Sequence, residues 1–327
     1  MLSIKENLLE TVRGGNPDRL VNQFEFVKFI RNPHQVRNPK CKRGDMNVKN
    51  LWGVTCSWRE DQPGSIPVHT PETVVIKDME HWQDYVIAPR MDYSEEDWQP
   101  FIEEADKIDR DEFFVAPSIT PGIFEQIHYL MEMEETLCAF YEYPDEMHDL
   151  IKYLTEWELQ LAEGYCKYVK PDALFHHDDW GSAESTFLSP EMFAEFFEEP
   201  YKTLYGYYKS HGVELVIHHS DSYAATLVPT MINMGIDIWQ GTTTANNIPE
   251  LIEKYGGSIS FMGGVNNLDV DIPDWSDDNT FHYVEEIVNA CGNKYFIPCN
   301  TLGGPSSCYP GVYEATSRAI DKINSKQ

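Results

Sequence analysis

The sequence predicts one α/β domain over residues 1–327, a closed (β/α)8 TIM barrel with an N-terminal extension and a long excursion over the barrel mouth. Three observations predict it. From about residue 113 onward, short buried-looking strands alternate with amphipathic helices, the order that gives parallel strands joined by crossover helices. The 327 residues suit one barrel with insertions. No Gly-x-Gly-x-x-Gly follows the first strand, so an open dinucleotide-binding sheet has no support.

The elements follow in order. Ser3 and Glu6 form a capping box ahead of Leu8, Leu9 and Val12, and Gly14-Gly15-Asn16-Pro17 ends that helix. Residues 21–26 read as the first strand. Residues 32–71, rich in Pro, Gly, Asn and basic side chains without periodicity, form the excursion. Residues 78–86 read as a short helix with Trp82 and Val86 inward. Strands then fall at 113–118, 173–176, 213–218, 236–239, 258–262 and 295–298. Helices fall at 122–133, 144–169, 227–234, 248–255, 280–289 and 310–324. A further helix starts at Ser189 and Pro190, and Pro200 is expected to end or kink it. The count is seven or eight units.

Composition narrows the function. With 25 basic and 54 acidic residues the net charge is -29, a field that repels nucleic acid and anionic membranes. The seven cysteines are odd in number and form no Cys-x-x-Cys, which fits reduced thiols in a cytoplasm. No apolar run approaches a membrane span, and the first residues do not read as a secretory signal.

In such barrels chemistry sits just after the strands. Those positions hold Glu25, then His176-His177-Asp178-Asp179-Trp180-Gly181 and Glu184, then His218-His219-Ser220-Asp221, then Gln240, then Cys299-Asn300. Any one of them could be a polar residue closing a strand. Together they favour a site, because burying so many ionisable groups without a role is costly. Two chemistries fit. His219, Asp221 and Cys299 could bind zinc through N, O and S with a fourth position open, and Glu184, Glu198 and Glu199 are alternative oxygen donors. In a metal-free scheme, Asp178 and Asp179 are the catalytic candidates. Adjacent carboxylates in a dry pocket do not both ionise easily, so one should have a raised pKa. Glu25, Trp180, His177, His218 and Gln240 are substrate-pocket candidates.

The string His177-Asp178-Asp179-Trp180-Gly181, followed by Phe187-Leu188-Ser189-Pro190-Glu191-Met192-Phe193, resembles the uroporphyrinogen decarboxylase superfamily. So do residues 213–221, Gly235-Ile236-Asp237-Ile238-Trp239 and Phe261-Met262-Gly263-Gly264. The resemblance implies a barrel and two branches: porphyrinogen decarboxylases, and methyltransferases that work with corrinoid proteins. The decarboxylases carry an Arg-Gln-Ala-Gly-Arg stretch near the first strand to grip substrate carboxylates; here that region reads Asn22-Gln23-Phe24-Glu25-Phe26-Val27-Lys28-Phe29. The methyltransferases carry a His-x-Cys after the fourth strand and a later Cys as zinc ligands. His219 and Cys299 match that pattern, and Asp221 replaces the middle Cys. The O-demethylating members hold zinc with two Glu and one His, which Glu184, Glu198 or Glu199, and His219 resemble with the spacing off by one. The resemblance therefore implies a zinc-dependent methyltransferase. It would move a methyl group from a small methylated substrate, with a methyl ether favoured, to a corrinoid (cobalamin) on a partner protein. The excursion is a candidate docking surface for that partner, and a homodimer is left open. A metal-free decarboxylase and a non-catalytic barrel with a decayed site are the alternatives.

Overall fold

The structure, a computed structural model, describes residues 1–62 and 64–326. In chain order its elements are α1 (Ile4–Val12), β1 (Val27–Ile30), α2 (Pro33–Arg37), β2 (Val48–Lys49), β3 (Thr55–Ser57), β4 (Ile66–Pro67), α3 (Glu95–Ala105) and β5 (Phe114–Ile119). Then come α4 (Ile123–Met131), α5 (Met133–Glu142), α6 (Pro144–Tyr168), β6 (Ala173–His177), α7 (Pro190–Phe193), α8 (Glu199–Ser210), β7 (Leu215–His219) and α9 (Val228–Met234). The chain closes with β8 (Ile238–Thr242), α10 (Ile248–Tyr255), β9 (Ser260–Val265), α11 (Asn267–Val270), α12 (Asp277–Cys291), β10 (Phe296–Asn300) and α13 (Val312–Asn324). A short 3-10 helix, Met79–Asp84, covers the helix expected at 78–86, with Trp82 and Val86 buried.

Seven strands form one parallel sheet in the order β1, β5, β6, β7, β8, β9, β10, while β2, β3 and β4 make a separate antiparallel sheet. The parallel sheet curls like a barrel and separates two apolar cores. Alternate residues turn inward: Phe114 and Ala116, Ala173 and Phe175, Leu215 and Ile217, Ile238, Met262, Ile297 and Cys299. Their neighbours Val115, Leu174, Val216, Trp239, Phe261 and Phe296 turn out toward the helices. The two-residue period of a strand decides this sorting. It also decides which polar residues at the strand ends face the mouth.

Three expectations change. First, residues 21–26 are not a strand. Gln23 takes φ 50 and residues 23–26 form turns, so this buried apolar run folds back before β1 begins at Val27. Second, the barrel has seven strands rather than eight, and among the described residues no ladder joins β10 to β1. A side chain stands in its place. The fully buried Gln23 amide accepts from the Asn300 backbone N–H (3.3 Å) and donates to the Tyr313 carbonyl (3.0 Å) and Ser317 Oγ (2.7 Å). Third, Pro200 does not end its helix. A π-helical stretch, Ala194–Glu198, leads straight into α8, so the proline sits in a continuous helix whose distorted turn just before it is the expected local irregularity.

The excursion starts at the mouth, where the Gln35 side chain donates to the Ser118 carbonyl at 2.6 Å. It then runs along the helices: Trp52 packs edge-on against Trp157 of α6, and His69 Nε2 lies 3.1 Å from the Tyr129 carbonyl of α4. Among the described residues no helix is long and apolar enough to cross a membrane.

Candidate metal centre

β6 and β7 each end on two histidines, and their register pairs His176 with His218 and His177 with His219. The alternation sends the first pair outward and the second into the mouth. The outward pair belongs to the packing. His176 Nε2 lies 2.9 Å from a Glu158 carboxylate oxygen on α6. His218 donates from Nε2 to the Asp178 carbonyl (3.1 Å), so its Nδ1 accepts from the Tyr205 hydroxyl (3.0 Å). Trp180 stacks on the His218 ring at 3.8 Å and both are buried. Burial and the nearby His176 hold the His218 pKa well below the usual imidazole range. His218 and Trp180, expected in the substrate pocket, are therefore core residues.

Asp178 also belongs to the scaffold. Its fully buried carboxylate accepts from the backbone N–H groups of Phe124 (3.0 Å) and Glu125 (2.7 Å), from Trp180 Nε1 (2.9 Å), and from the Tyr201 hydroxyl. It thus occupies the N-terminus of α4, where free N–H groups and the helix dipole favour an anion. Gly122 permits the approach: a Cβ there would lie 2.5 Å from Asp178 Cβ. Burial and the Glu125 carboxylate push Asp178 up to about 7, against the pull of the Tyr201, Glu125 backbone and Trp180 donors. The expected raised carboxyl exists, but it is sealed from the mouth.

The inward pair builds the site. The rings of His177 and His219 stack at 4.3 Å. Asp179 reaches both, with carboxylate oxygens 3.5 Å from His177 Nε2 and 4.0 Å from His219 Nε2. One donor atom from each of His177, Asp179 and His219 lies within 4.8 Å of the others. Glu125, on the first turn of α4, adds an oxygen 3.2 Å from His177 Nε2. That oxygen is buried and lacks a hydrogen bond of good geometry. Burial opposes charge on His177, yet Glu125 and Asp179 outweigh it and hold its pKa well above the usual range. Burial likewise opposes charge on Asp179, and His177 keeps it below the usual carboxylate range. His219 is held down to about 4 by burial and by the neighbouring His177. Its Nδ1 is hydrogen-bonded to Gln240 Oε1.

The remaining expected site residues lie as follows. Asp221 faces the same carboxylates; burial and Asp179 push it up to about 7, and its backbone N–H donates to Asp179 at 3.0 Å. Cys299 sits lower in the barrel among apolar side chains, with its Sγ 4.0 Å from Gln240 Nε2, and burial drives its thiol pKa well up. The structure thus groups His219 with His177 and Asp179 rather than with Asp221 and Cys299. Glu184 is exposed, Glu199 pairs with Lys202 at 3.2 Å in solvent, and Glu198 faces the Asn233 amide at 3.3 Å, so none of these alternative donors joins the group. Glu25 precedes β1 and accepts from the Asn22 backbone N–H at 2.9 Å, at the end of the strand away from the mouth. The charged residue just past β1 is Arg31, which is exposed. The sequence reading missed Glu125. Its one signal is an acidic residue in the first turn of a mostly apolar helix.

The donor set fits a divalent cation. Two imidazoles and one or two carboxylates match zinc, and two His with one carboxylate also suits other first-row metals. Three carboxylates, those of Glu125, Asp179 and Asp221, share the mouth, and among the described residues none of them pairs with Lys or Arg.

Comparison with known proteins supports the architecture. The uroporphyrinogen decarboxylase (URO-D) family model matches residues 62–289. No curated protein matches the chain. A methyltransferase from Methanosarcina mazei shares the fold over 99% of both chains, with a TM-score of 0.65 and 13% identity. A Listeria monocytogenes structure, provisionally assigned as a vitamin-B12 independent methionine synthase, covers 68% of this chain and 69% of its own. Its TM-score is 0.41 at 14% identity, too low to carry an argument.

Proposed function

The chain belongs to the uroporphyrinogen decarboxylase (URO-D) family, and from that premise we propose that it is a zinc-dependent methyltransferase. It moves a methyl group from a small methylated substrate, a methyl ether being favoured, to a corrinoid carried by a partner protein. The observation that carries this reading is the convergence of His177, Asp179 and His219 donor atoms within 4.8 Å at the ends of two adjacent strands. These three residues would hold the zinc, with Glu125 beside them. When bound, the ion supplies Lewis acidity to the substrate heteroatom and stabilises it as a leaving group.

The chain's own residues supply the rest. Without the ion, Glu125 and Asp179 hold a proton at His177 Nε2, which binding of the ion would release. Asp221, whose backbone N–H donates to Asp179, stands beside the three donors as the candidate proton source for the departing heteroatom. Phe29 offers an apolar wall for the substrate skeleton. It shares the inward parity of Val27 yet is 40% exposed, and it packs edge-on against Phe175, whose ring lies 6.0 Å from His219. A cytoplasmic location agrees with seven cysteines that are all free.

The metal-free decarboxylase is the weaker reading. Asp178 is sealed behind the α4 N-terminus, and a substrate with many carboxylates would meet Glu125, Asp179 and Asp221 in the mouth. Arg31 is a single cation where the resemblance leads one to expect two.

The test is metal content together with methyl transfer. We expect about one zinc per chain, lost in His219→Ala. We also expect methyl transfer to added cob(I)alamin from some member of a panel of methyl ethers, amines and thiols. Protein that binds no zinc after reconstitution overturns the mechanism.

A further inference from the structure

Gln240 does not line a pocket; it is buried between β8 and the end of β10. Its side-chain NH2 donates to two backbone carbonyls, those of Asn300 (3.2 Å) and Thr301 (3.4 Å). A flipped amide would set its oxygen against both carbonyl oxygens, so these acceptors fix the orientation. The amide oxygen then faces His219 Nδ1. An amide oxygen can only accept, so Nδ1 must carry the hydrogen. A neutral imidazole has one N–H, so Nε2 keeps its lone pair. That lone pair looks toward Asp179, whose nearest oxygen is 4.0 Å away. Two acceptors thus face each other with room for a cation between them. Strand register makes the arrangement: His219 of β7 lies opposite Gln240 of β8, and both have inward parity.

We propose that Gln240 is a positioning residue, which locks His219 in the Nδ1–H tautomer and so aims the Nε2 lone pair at a metal ion shared with Asp179 and His177. The inference rests on the metal reading above. It adds a residue that touches neither metal nor substrate. An imidazole free to choose would place its hydrogen on Nε2, toward the Asp179 carboxylate, for part of the time. Removing the Gln240 acceptor lets it do so, and the metal must then displace that proton. Partners of this kind change metal affinity by roughly 10–100-fold.

The test begins with metal-free wild-type protein, labelled with 15N at histidine. Long-range 15N–1H correlation spectra should place the His219 hydrogen on Nδ1, and Gln240→Leu should shift part of the population to Nε2. Competition with a chelator, using zinc and cobalt(II), should show Gln240→Leu binding roughly 10–100-fold more weakly than wild type. A wild-type His219 protonated on Nε2 overturns the proposal, whatever the variants do. So does equal metal affinity in wild type and a folded Gln240→Leu. A wild type that binds neither metal overturns the reading of the site itself, a result distinct from equal binding by both proteins.

Discussion

His177 and His219 lie ring on ring at 4.3 Å, on neighbouring parallel strands, with Asp179 spanning the two. The residue before each, His176 or His218, faces the opposite way into the helix layer. One step along a strand therefore separates a scaffold histidine from a site histidine. The same holds for the adjacent aspartates: Asp178 binds the α4 N-terminus and Asp179 faces the donors.

That split can be measured. Asp178→Ala strips four donors of their buried acceptor, and a buried donor left unpaired costs about 1–3 kcal/mol. We expect urea unfolding to show a loss of at least about 3 kcal/mol. Asp179→Asn should stay within about 1 kcal/mol of wild type and lose bound metal instead. Asp179→Asn protein that is strongly destabilised yet still binds metal would contradict the assignment.

Much of this was legible in sequence. The strands β5 to β10 are buried on both faces and read as apolar runs. Each of them extends one to three residues beyond the C-terminal end that its apolar run marks. His177, His219, Thr242 and Asn300 are polar and look like loop residues, yet each is the last residue of its strand; Gln240 lies inside β8, and strand alternation turns His177, His219 and Gln240 inward. The run at 21–26 looks like a strand because Phe24 and Phe26 alternate with Gln23 and Glu25, while the left-handed Gln23 makes it turn. Glu125 was invisible because only tertiary packing brings α4 against the ends of β6 and β7. Arg31 is not marked by the sequence as a strand-end residue, because it follows β1 rather than the run at 21–26.

Cys299 offers a sharper test of which donors matter. It packs in the barrel interior and is fully buried. Cys299→Ala should therefore leave metal stoichiometry unchanged, at a stability cost of about 1 kcal/mol for the small cavity. Loss of metal in this variant, with the fold intact by circular dichroism, would restore the thiolate to the donor set.

Asp221 predicts a pH dependence. Its folded-state pKa is raised to about 7 by burial and by Asp179, from an ordinary value of 3.8. Between those values the folded protein holds a proton that the unfolded chain has released, so this group lowers stability as pH rises from about 4 to about 7. Asp221→Asn removes that loss. In metal-free protein the variant should exceed wild type by more than about 1 kcal/mol at pH 8 and show little difference at pH 4. Urea midpoints at the two pH values give the answer; a gain confined to pH 4 would reverse the sign and refute the argument.

Gln23 tests how the barrel manages with seven strands. Its side chain is the bridge described between the segment before β1 and the β10–α13 edge, through Asn300, Tyr313 and Ser317. Gln23→Gly removes these hydrogen bonds while relieving the positive φ of 50, so any loss comes from the side chain rather than from backbone strain. Leaving the buried Asn300 N–H unpaired should cost about 1–3 kcal/mol. Gln23→Ala loses the same bonds and keeps the strained backbone, so it should be less stable than the glycine variant by roughly 1 kcal/mol. Hydrogen exchange should locate the damage. Amides of β10 and α13 should exchange faster in both variants, while those of β6 and β7, on the far side of the sheet order, should be affected only as far as global stability falls. Uniform acceleration across all seven strands would mean that the gap is held by the apolar packing of Val21, Phe26 and Ile297, with the amide contributing little.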